Sequence, residues 1–402
     1  MKWKRTCTPL VAAGLLLPVL SPVASAQDTT EEMQQEFREM MDEMTEEMEN
    51  MTDLTESLKP GTTNFLVTGY AFSGFTNAEG GNSSFDSRVF PIFLWKLSDQ
   101  VFASSEIEFE LGATATKINL EFLELNYIVN DWLTLKAGKF LTPLSTFKEQ
   151  IHPAWINKLP DQPLYATGGA RLIPTSSLGF VAQGAIPVNN DMKFTYAAWL
   201  SNGPSLVTTG GKAGQLNFSN FSDVNNNKAV GARLGFFPMP ELEVAYAFTF
   251  ADVGASGTAF NKLDATIHDI SATYVLENES LGGRLDLRGE YVLSDVDDVD
   301  YGSGIFNNER EGGYFQLAYR PTMSGGFFKD MEFVVRYDFL NNPTAALDGK
   351  AYDEERWTIG VNYWLNPSSV VKVGYRFDDI EDPTNALNTG SDAFLAQFAI
   401  GF

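Results

Sequence analysis

The feature that most constrains this chain is an alternation of apolar and polar residues with a period of two, which begins near Thr63 and continues to the C-terminus. It is unbroken over residues 106–111 and 284–291, and nearly unbroken over 332–339 and 372–378. Successive side chains of a β-strand point to opposite faces, so each segment predicts a strand with one apolar and one polar face. In a soluble sandwich the apolar face would be buried, whereas in a membrane barrel it faces lipid and the polar row faces a wet lumen.

The lengths of the joins between strands distinguish these two cases. Short joins, such as 130–131 and 366–367, alternate with long ones, of which 143–176 is the longest. Short periplasmic turns and long external loops are typical of outer-membrane barrels. The sequence therefore predicts an all-β fold, a 16-stranded antiparallel transmembrane β-barrel over residues 61–402. The predicted strands are 63–75, 87–98, 101–112, 115–129, 132–142, 177–187, 191–201, 227–238, 240–251, 265–277, 282–294, 311–321, 329–340, 354–365, 368–378 and 391–402.

The last predicted strand carries a second signal. One apolar row runs through Phe394, Ala396, Phe398 and Ile400 to the terminal Phe402. A terminal phenylalanine on an alternating strand resembles the recognition signal of the outer-membrane barrel assembly machinery. We therefore expect that machinery to be a partner, and outer-membrane lipid and lipopolysaccharide to surround the apolar faces.

Residues 1–26 predict a cleaved signal peptide. A basic N-terminal region is followed by the apolar run 10–20 and by the small-residue site Ala24-Ser25-Ala26. An uncleaved membrane anchor is the alternative, but the run is short and broken by Pro9 and Pro18. The only cysteine, Cys7, would leave with this segment, so the mature chain would contain no disulfide. The predicted location is the Gram-negative outer membrane.

Residues 27–60 predict an acidic periplasmic helix that ends at Pro60. Its apolar residues repeat every 3.5 residues, as they do in a coiled coil. The segment holds twelve acidic residues, and its only bases are Arg38 and Lys59, so anionic lipids would repel it. This favours a self-associating coiled coil over a lone amphipathic helix on a membrane or on the barrel mouth. The predicted seam consists of Met33, Phe37, Met40, Met44, Met51, Leu54 and Leu58.

Charge and composition argue against several function classes. The chain carries 28 Lys and Arg against 52 Asp and Glu, so nucleic acid, which requires a basic surface, is not an expected partner. Two histidines, His152 and His268, offer little material for a zinc site or a Ser-His-Asp centre. We predict no catalytic residue, metal or cofactor. The aspartates within 295–300 could bind a divalent cation, but they lack EF-hand spacing and are interpreted as a solvated loop.

The sequence LTLKAGKFLTP over residues 133–143, followed by Arg171 and by Leu178-Gly179, resembles the phosphate-selective porins. Those are trimeric 16-stranded barrels with a strand of the form Leu-x-x-Gly-x-Phe, a proline just after it, and a loop that contains proline and arginine. The resemblance is detailed over residues 65–200 and architectural elsewhere. It implies a homotrimer but fixes no solute, because the basic residues of a phosphate-selective constriction are not matched one by one.

The polar rows of the strands predict the lining of the pore. Acidic residues concentrate on the third and fourth strands, and basic residues concentrate on strands eleven to fifteen. Opposed walls of this kind would orient dipolar solutes and exclude apolar ones. The alternative is that Asp286, Glu290, Asp338 and Asp378 neutralise the arginines in cross-strand ion pairs. The predicted lining residues are Glu106, Glu108, Glu110, Lys136, Arg233, Arg284, Arg288, Arg320, Arg336, Lys372 and Arg376, with Glu121 or Glu124 beside them.

The long join 143–176 predicts a constriction. It combines five prolines with aromatic and basic residues, so it is stiff and has side chains to bury. We expect it to fold into the barrel, with Lys148, Trp155, Lys158 and Arg171 at the constriction; a surface cap or a trimer contact is the alternative. The sequence thus predicts a passive porin for small hydrophilic solutes. The alternative function is a structural barrel that anchors the acidic helix to the cell wall or a partner protein.

Overall fold

The computed structural model describes residues 64–402 with gaps at 113, 169–170, 220, 279–280, 303, 306, 323–325, 344–352 and 382–391. The predicted signal peptide and coiled-coil seam lie outside the described residues. Sixteen antiparallel strands close into one barrel in chain order, and β1 pairs with β18. A separate hairpin is formed by β8 and β9. The strands are β1 (Asn64–Ala78), β2 (Ser84–Lys96), β3 (Val101–Leu111), β4 (Thr116–Asn130), β5 (Leu133–Leu141), β6 (Ser176–Pro187), β7 (Lys193–Ser201), β8 (Ser205–Leu206), β9 (Leu216–Asn217), β10 (Ala229–Met239), β11 (Leu242–Asp252), β12 (Asp264–Asn278), β13 (Gly283–Val296), β14 (Asn308–Pro321), β15 (Met331–Asn341), β16 (Asp353–Asn366), β17 (Ser369–Glu381) and β18 (Ala393–Gly401).

The barrel confirms the predicted fold class. Each of the sixteen predicted strands corresponds to one barrel strand, and its ends lie within three residues of the predicted ends. The alternation located these strands because each is long enough to repeat the period several times. The hairpin of β8 and β9 was not predicted, because strands of two residues are too short to show an alternation of apolar and polar residues.

The two faces of the barrel wall have opposite chemistry. Large apolar side chains, including Phe315, Phe333 and Trp357, point outward and are about half exposed. Inward residues on neighbouring strands, such as Arg336 and Asn362, are almost completely buried. This arrangement, with apolar residues outside and polar residues inside, is the inverted pattern of a membrane barrel.

The last residue completes the closure of the barrel. The backbone N–H groups of Gly69 and Phe402 each donate to the other residue's carbonyl, at 2.8 and 2.9 Å. The Thr68 hydroxyl donates to the same Phe402 carbonyl. A Cβ atom on Gly69 would lie 2.2 Å from the Phe90 carbonyl oxygen and 3.1 Å from the Phe402 ring. Only glycine fits this position, where β1, β2 and the C-terminal ring converge.

The segment between β5 and β6, residues 142–175, folds inward, and we call it the inner loop. It contains a π-helical turn (Phe147–Ile151) and a 3₁₀ turn (Leu164–Ala166). Its apolar side chains form a buried cluster with inward residues of the barrel, including Phe140, Val292 and Tyr314. The described residues contain no helix that has the length and apolar character needed to cross a bilayer.

Three inward glycines make room for side chains of the inner loop. A Cβ atom on Gly312 of β14 would lie 2.8 Å from the Cβ of Tyr165, and one on Gly360 of β16 would lie 2.6 Å from Leu159. A Cβ atom on Gly401 would lie 2.9 Å from the ring of Trp155. Distances below 3.0 Å are not tolerated in close-packed interiors, so these glycines are slots in the wall that receive the loop.

Candidate functional site

Acidic residues of β3 line one side of the lumen, and each has a polar partner. The Tyr70 hydroxyl donates to Glu106 at 3.0 Å. Glu108 accepts hydrogen bonds of 2.9 Å from both Arg88 and Asn119. The Arg88 guanidinium also lies 3.5 Å from Glu110. The three glutamates therefore share one inward face, as their spacing predicts, and Arg88 of β2 neutralises part of their charge.

A β-bulge resolves the choice between Glu121 and Glu124. In the pairing of β3 with β4, Glu106 is opposite Phe122 while Ile107 is opposite Leu120, so Glu121 is the extra residue. A bulge of this kind shifts the alternation by one residue. Both glutamates consequently face inward: Glu121 borders the lumen cavity, and Glu124 lies 3.4 Å from Lys136.

The inner loop is held to the wall by side chains that are buried beneath it. Lys158 of the loop pairs with Glu332 of β15 at 2.6 Å. Arg336 of β15 pairs with Asp161 of the loop at 2.9 Å. The ammonium group of Lys372 donates to two loop carbonyls, those of Ala154 and, at 2.5 Å, Asn157.

The other end of the loop is fixed in the same way. Arg233 of β10 donates to the Thr146 hydroxyl at 3.1 Å and pairs with Glu243 of β11 at 2.7 Å. The backbone N–H of Phe147 donates to Glu290 of β13 at 3.0 Å. Thus Arg233, Arg336 and Lys372 lie under the loop, and the loop separates them from the open part of the lumen.

Arg288, Arg356 and Arg376 are paired along the wall. Arg288 makes two hydrogen bonds, of 2.7 and 2.8 Å, with Asp286 on its own strand. Arg356 and Arg376 share Asp378, at 2.5 and 2.8 Å. Of these pairs only Arg356 with Asp378 joins two strands, whereas the sequence offered cross-strand pairs as the alternative to an open basic wall.

Three further predicted residues lie away from the open lumen. Arg320 is 3.4 Å from Asp330 and stacks over Trp364, near the short-turn end of the barrel. Arg284 lies opposite Arg320 in the register of β13 with β14, at the same end. Trp155 of the inner loop packs against Gly401.

The open part of the lumen is a cavity of about 560 Å³ between the inner loop and one side of the barrel wall. The wall side is formed by β1 to β4 and β16 to β18. Nine charged residues line the cavity: Asp86, Arg88, Glu108, Glu121, Lys148, Asp161, Arg171, Arg356 and Arg376. Among the described residues, no group of His, Cys, Asp and Glu is arranged to hold a metal ion.

Burial changes the acid–base properties of the loop side chains in this cavity. Burial, together with the charge of Arg171, lowers the pKa of Lys148 to about 8. The Lys148 ammonium donates to the Gln162 side chain at 2.7 Å. Burial also lowers the pKa of His152 to about 3, so this ring is neutral at physiological pH. His152 stacks edge-on against Tyr70, which is consistent with a structural part in the loop.

Sequence reasoning missed several charged residues of the cavity. Asp86 and Arg88 of β2 and Arg356 of β16 occupy inward rows of their strands. The same alternation that located the other lining residues includes them, since Asp86, Arg88 and Phe90 are spaced by two. No sequence pattern indicated that Asp161 lines the cavity, because its contacts with Arg336 and Arg356 depend on how the loop folds.

Comparisons with known proteins agree on the fold. No family model matches the chain, and no curated protein matches it. Among solved structures, the outer membrane channel DcaP of Acinetobacter baumannii superposes with a TM-score of 0.57 at 10% identity, covering 86% of this chain and 99% of that one. An anion-selective porin from Comamonas acidovorans gives 0.55 at 11% identity over 85% of this chain and 100% of its own. A trimer form of OmpT from Vibrio cholerae gives 0.50 at 11% identity, covering 85% and 99%.

The fold is that of outer-membrane porins. At these identities the likeness concerns the path of the backbone, because few side chains are shared. The residues that fill the lumen must therefore be interpreted from this chain's own contacts.

Proposed function

We propose that the protein is an outer-membrane porin through which small hydrophilic solutes diffuse passively. The observation that carries this proposal is the cavity of about 560 Å³ left beside the inner loop. Charged residues from both the loop and the wall border it, and a charged, hydrated constriction resists dewetting. The structural neighbours described as a channel and as a porin support a transport role rather than an enzymatic one.

We assign no phosphate selectivity to the pore. The likeness of residues 133–143 to the phosphate-selective type concerns a strand and not the constriction. The cavity contains carboxylates such as Asp86 and Glu121 as well as cations, and carboxylates oppose the entry of a multiply charged anion.

The N-terminal segments, the C-terminal residue and the surroundings of the barrel are part of the same proposal. Residues 1–26 direct export, and residues 27–60 form a periplasmic coiled coil. The coiled coil and the trimer form recorded for one structural neighbour support a homotrimer. Phe402 serves as the signal read by the barrel assembly machinery, and lipid and lipopolysaccharide surround the apolar wall.

Planar-bilayer recording tests the proposal. The purified protein, folded and heat-modifiable on a gel, is expected to give stepwise, ohmic openings under a salt gradient. A variant with the inner loop shortened is expected to give larger steps, because the loop occupies much of the lumen. Absence of openings from folded protein would contradict the porin and favour a structural barrel that anchors the acidic helix.

A further inference from the structure

The inner loop and the wall contribute opposite charges to the cavity. Lys148 and Arg171 belong to the loop, whereas Asp86 is on β2 and Glu121 is on β4. None of these four residues forms an ion pair within the part of the chain that the structure describes. Lys148 donates to Gln162, and Arg171 donates to Ser219 at 2.9 Å. Both of those partners are neutral.

The other charges of the cavity are neutralised locally. Arg88 pairs with Glu108 at 2.9 Å. Asp161 pairs with Arg336 at 2.9 Å. Arg356 pairs with Glu354 at 3.4 Å and shares Asp378 with Arg376, so two carboxylates face two arginines. The charged groups left for a solute are therefore Lys148 and Arg171 on the loop and Asp86 and Glu121 on the wall, where Glu121 also contacts the Glu108 side chain.

The four residues act on the same volume. The carboxylate of Glu121 opposes the fall in the pKa of both Lys148 and Arg171, so its field reaches both loop cations. Asp86 occupies space above a glycine, since a Cβ atom on Gly74 would lie 2.3 Å from its carboxylate oxygen. The carboxylate is thus held over β1, on the border of the cavity.

We propose that this part of the pore is a binding subsite for small zwitterions of the α-amino-acid kind. The solute's carboxylate faces Lys148 and Arg171, and its ammonium faces Glu121 and Asp86. An anion would be attracted by the loop but repelled by the wall, and a cation would meet the reverse, whereas a zwitterion satisfies both sides. This inference rests on the proposed porin function and adds a solute class to it.

The chemistry of the cavity border supports this solute class. Phe72, Phe75 and Leu395 also line the cavity, and they provide an apolar surface beside the charged groups. A small apolar side chain of an amino acid can lie there without losing contact with polar groups. Weak binding at such a site speeds passage, because a solute must both enter and leave.

Liposome swelling with isomeric solutes tests the inference. Glycine and glycolamide have the same atoms, but only glycine is zwitterionic. In proteoliposomes of the full-length protein at pH 7, glycine is expected to enter about fivefold faster than glycolamide. A factor of about five corresponds to the binding free energy of roughly one exposed ion pair. The ratio should approach one in both Lys148→Met/Arg171→Met and Asp86→Asn/Glu121→Gln.

Ion selectivity confirms that the variants are folded and conducting. The loop double variant should become cation-selective and the wall double variant anion-selective, in opposite directions from the parent. Lys96→Met is the matched control, because Lys96 pairs with Asp99 at a short turn; its glycine ratio should match the parent's. Equal glycine and glycolamide rates in a conducting parent protein would overturn the zwitterion subsite alone. A parent protein without conductance would overturn the porin itself.

Discussion

At the scale of single residues, Lys148 places a titratable positive charge on the border of the lumen cavity. It belongs to the π-helical turn of the inner loop and is only 6% exposed. Glu108 and Glu121 act on it from the wall, and Arg171 and His152 lie beside it on the loop. Because it has no carboxylate partner in the described part of the chain, its ionisation changes the charge of the cavity directly.

This predicts that ion selectivity depends on pH near neutrality. The pKa of Lys148 is lowered to about 8, so the side chain is charged below that pH and neutral above it. Between pH 6.5 and 9.5 the cavity loses one positive charge. The permeability ratio of potassium to chloride should therefore rise by about threefold, as expected for one charge in a partly solvated site.

Reversal potentials under a salt gradient measure this change. Lys148→Arg keeps the charge throughout and should give a flat profile at the low-pH value. Lys148→Met should give a flat profile at the high-pH value. A parent protein whose selectivity is constant over this range would show that Lys148 does not titrate in contact with the permeating ions.

At the scale of elements, the inner loop depends on the wall for its position. Its ends are fixed by β5 and β6, and its middle is held by buried ion pairs such as Lys158 with Glu332. Glycine slots receive its large side chains, and Tyr165, which fills the slot at Gly312, is completely buried. Both the glycine slots and the ion pairs therefore hold the loop in position. Filling a slot should loosen the loop without removing any ion pair.

Gly312→Val tests the slot. The added atoms would overlap Tyr165, and overpacking of this kind costs about 1–3 kcal/mol. The open form of the loop should become more populated, by about thirtyfold for the middle of that range. Trypsin cleavage after Lys158, which is buried in the parent protein, should speed up by the same factor.

Gly289→Val is the matched control on the neighbouring strand. A Cβ atom there meets nothing closer than 3.5 Å, and the residue does not contact the inner loop. Its cleavage rate should equal that of the parent protein. If both valine variants behaved alike, the slot would not be what fixes the loop.

At the scale of the whole molecule, the outer surface of the barrel has two different sides. On most strands from β11 to β17, acidic residues continue the outward rows beyond the aromatic band, as Glu355 does two residues from Trp357. Asp295 and Glu309 face each other in the same way on β13 and β14.

The outward rows of β1 to β7 contain no carboxylate in the described residues, and on β4 they are apolar from Ile118 to Val129. Like charges would repel a second copy, so we expect the proposed trimer to form through β1 to β7.

A matched pair of arginine substitutions tests this surface. Leu125 on β4 and Ile359 on β16 both point outward and are 55% and 52% exposed. An arginine on the lipid side of a barrel costs about 2–4 kcal/mol at either position, but only Leu125→Arg should also disrupt subunit contact. On gels of unheated samples, Leu125→Arg should shift trimer to monomer and Ile359→Arg should not. Dissociation by Ile359→Arg alone would place the contact on the opposite side.

The sequence by itself determined the architecture, because a period-two pattern over more than three hundred residues admits one arrangement of strands and faces. Every barrel strand and the inward face of Glu106, Glu108 and Glu110 follow from that period. The charge of the pore did not follow from it. Whether Arg336 is exposed or covered depends on Asp161, which is 175 residues away and approaches only when the loop folds inward. The inward direction of both Glu121 and Glu124 depends on a bulge, which the sequence shows only as a one-residue slip in the polar row between them. Tertiary structure decided these points because a lumen is shaped by contacts between distant segments, and periodicity describes only neighbours along one strand.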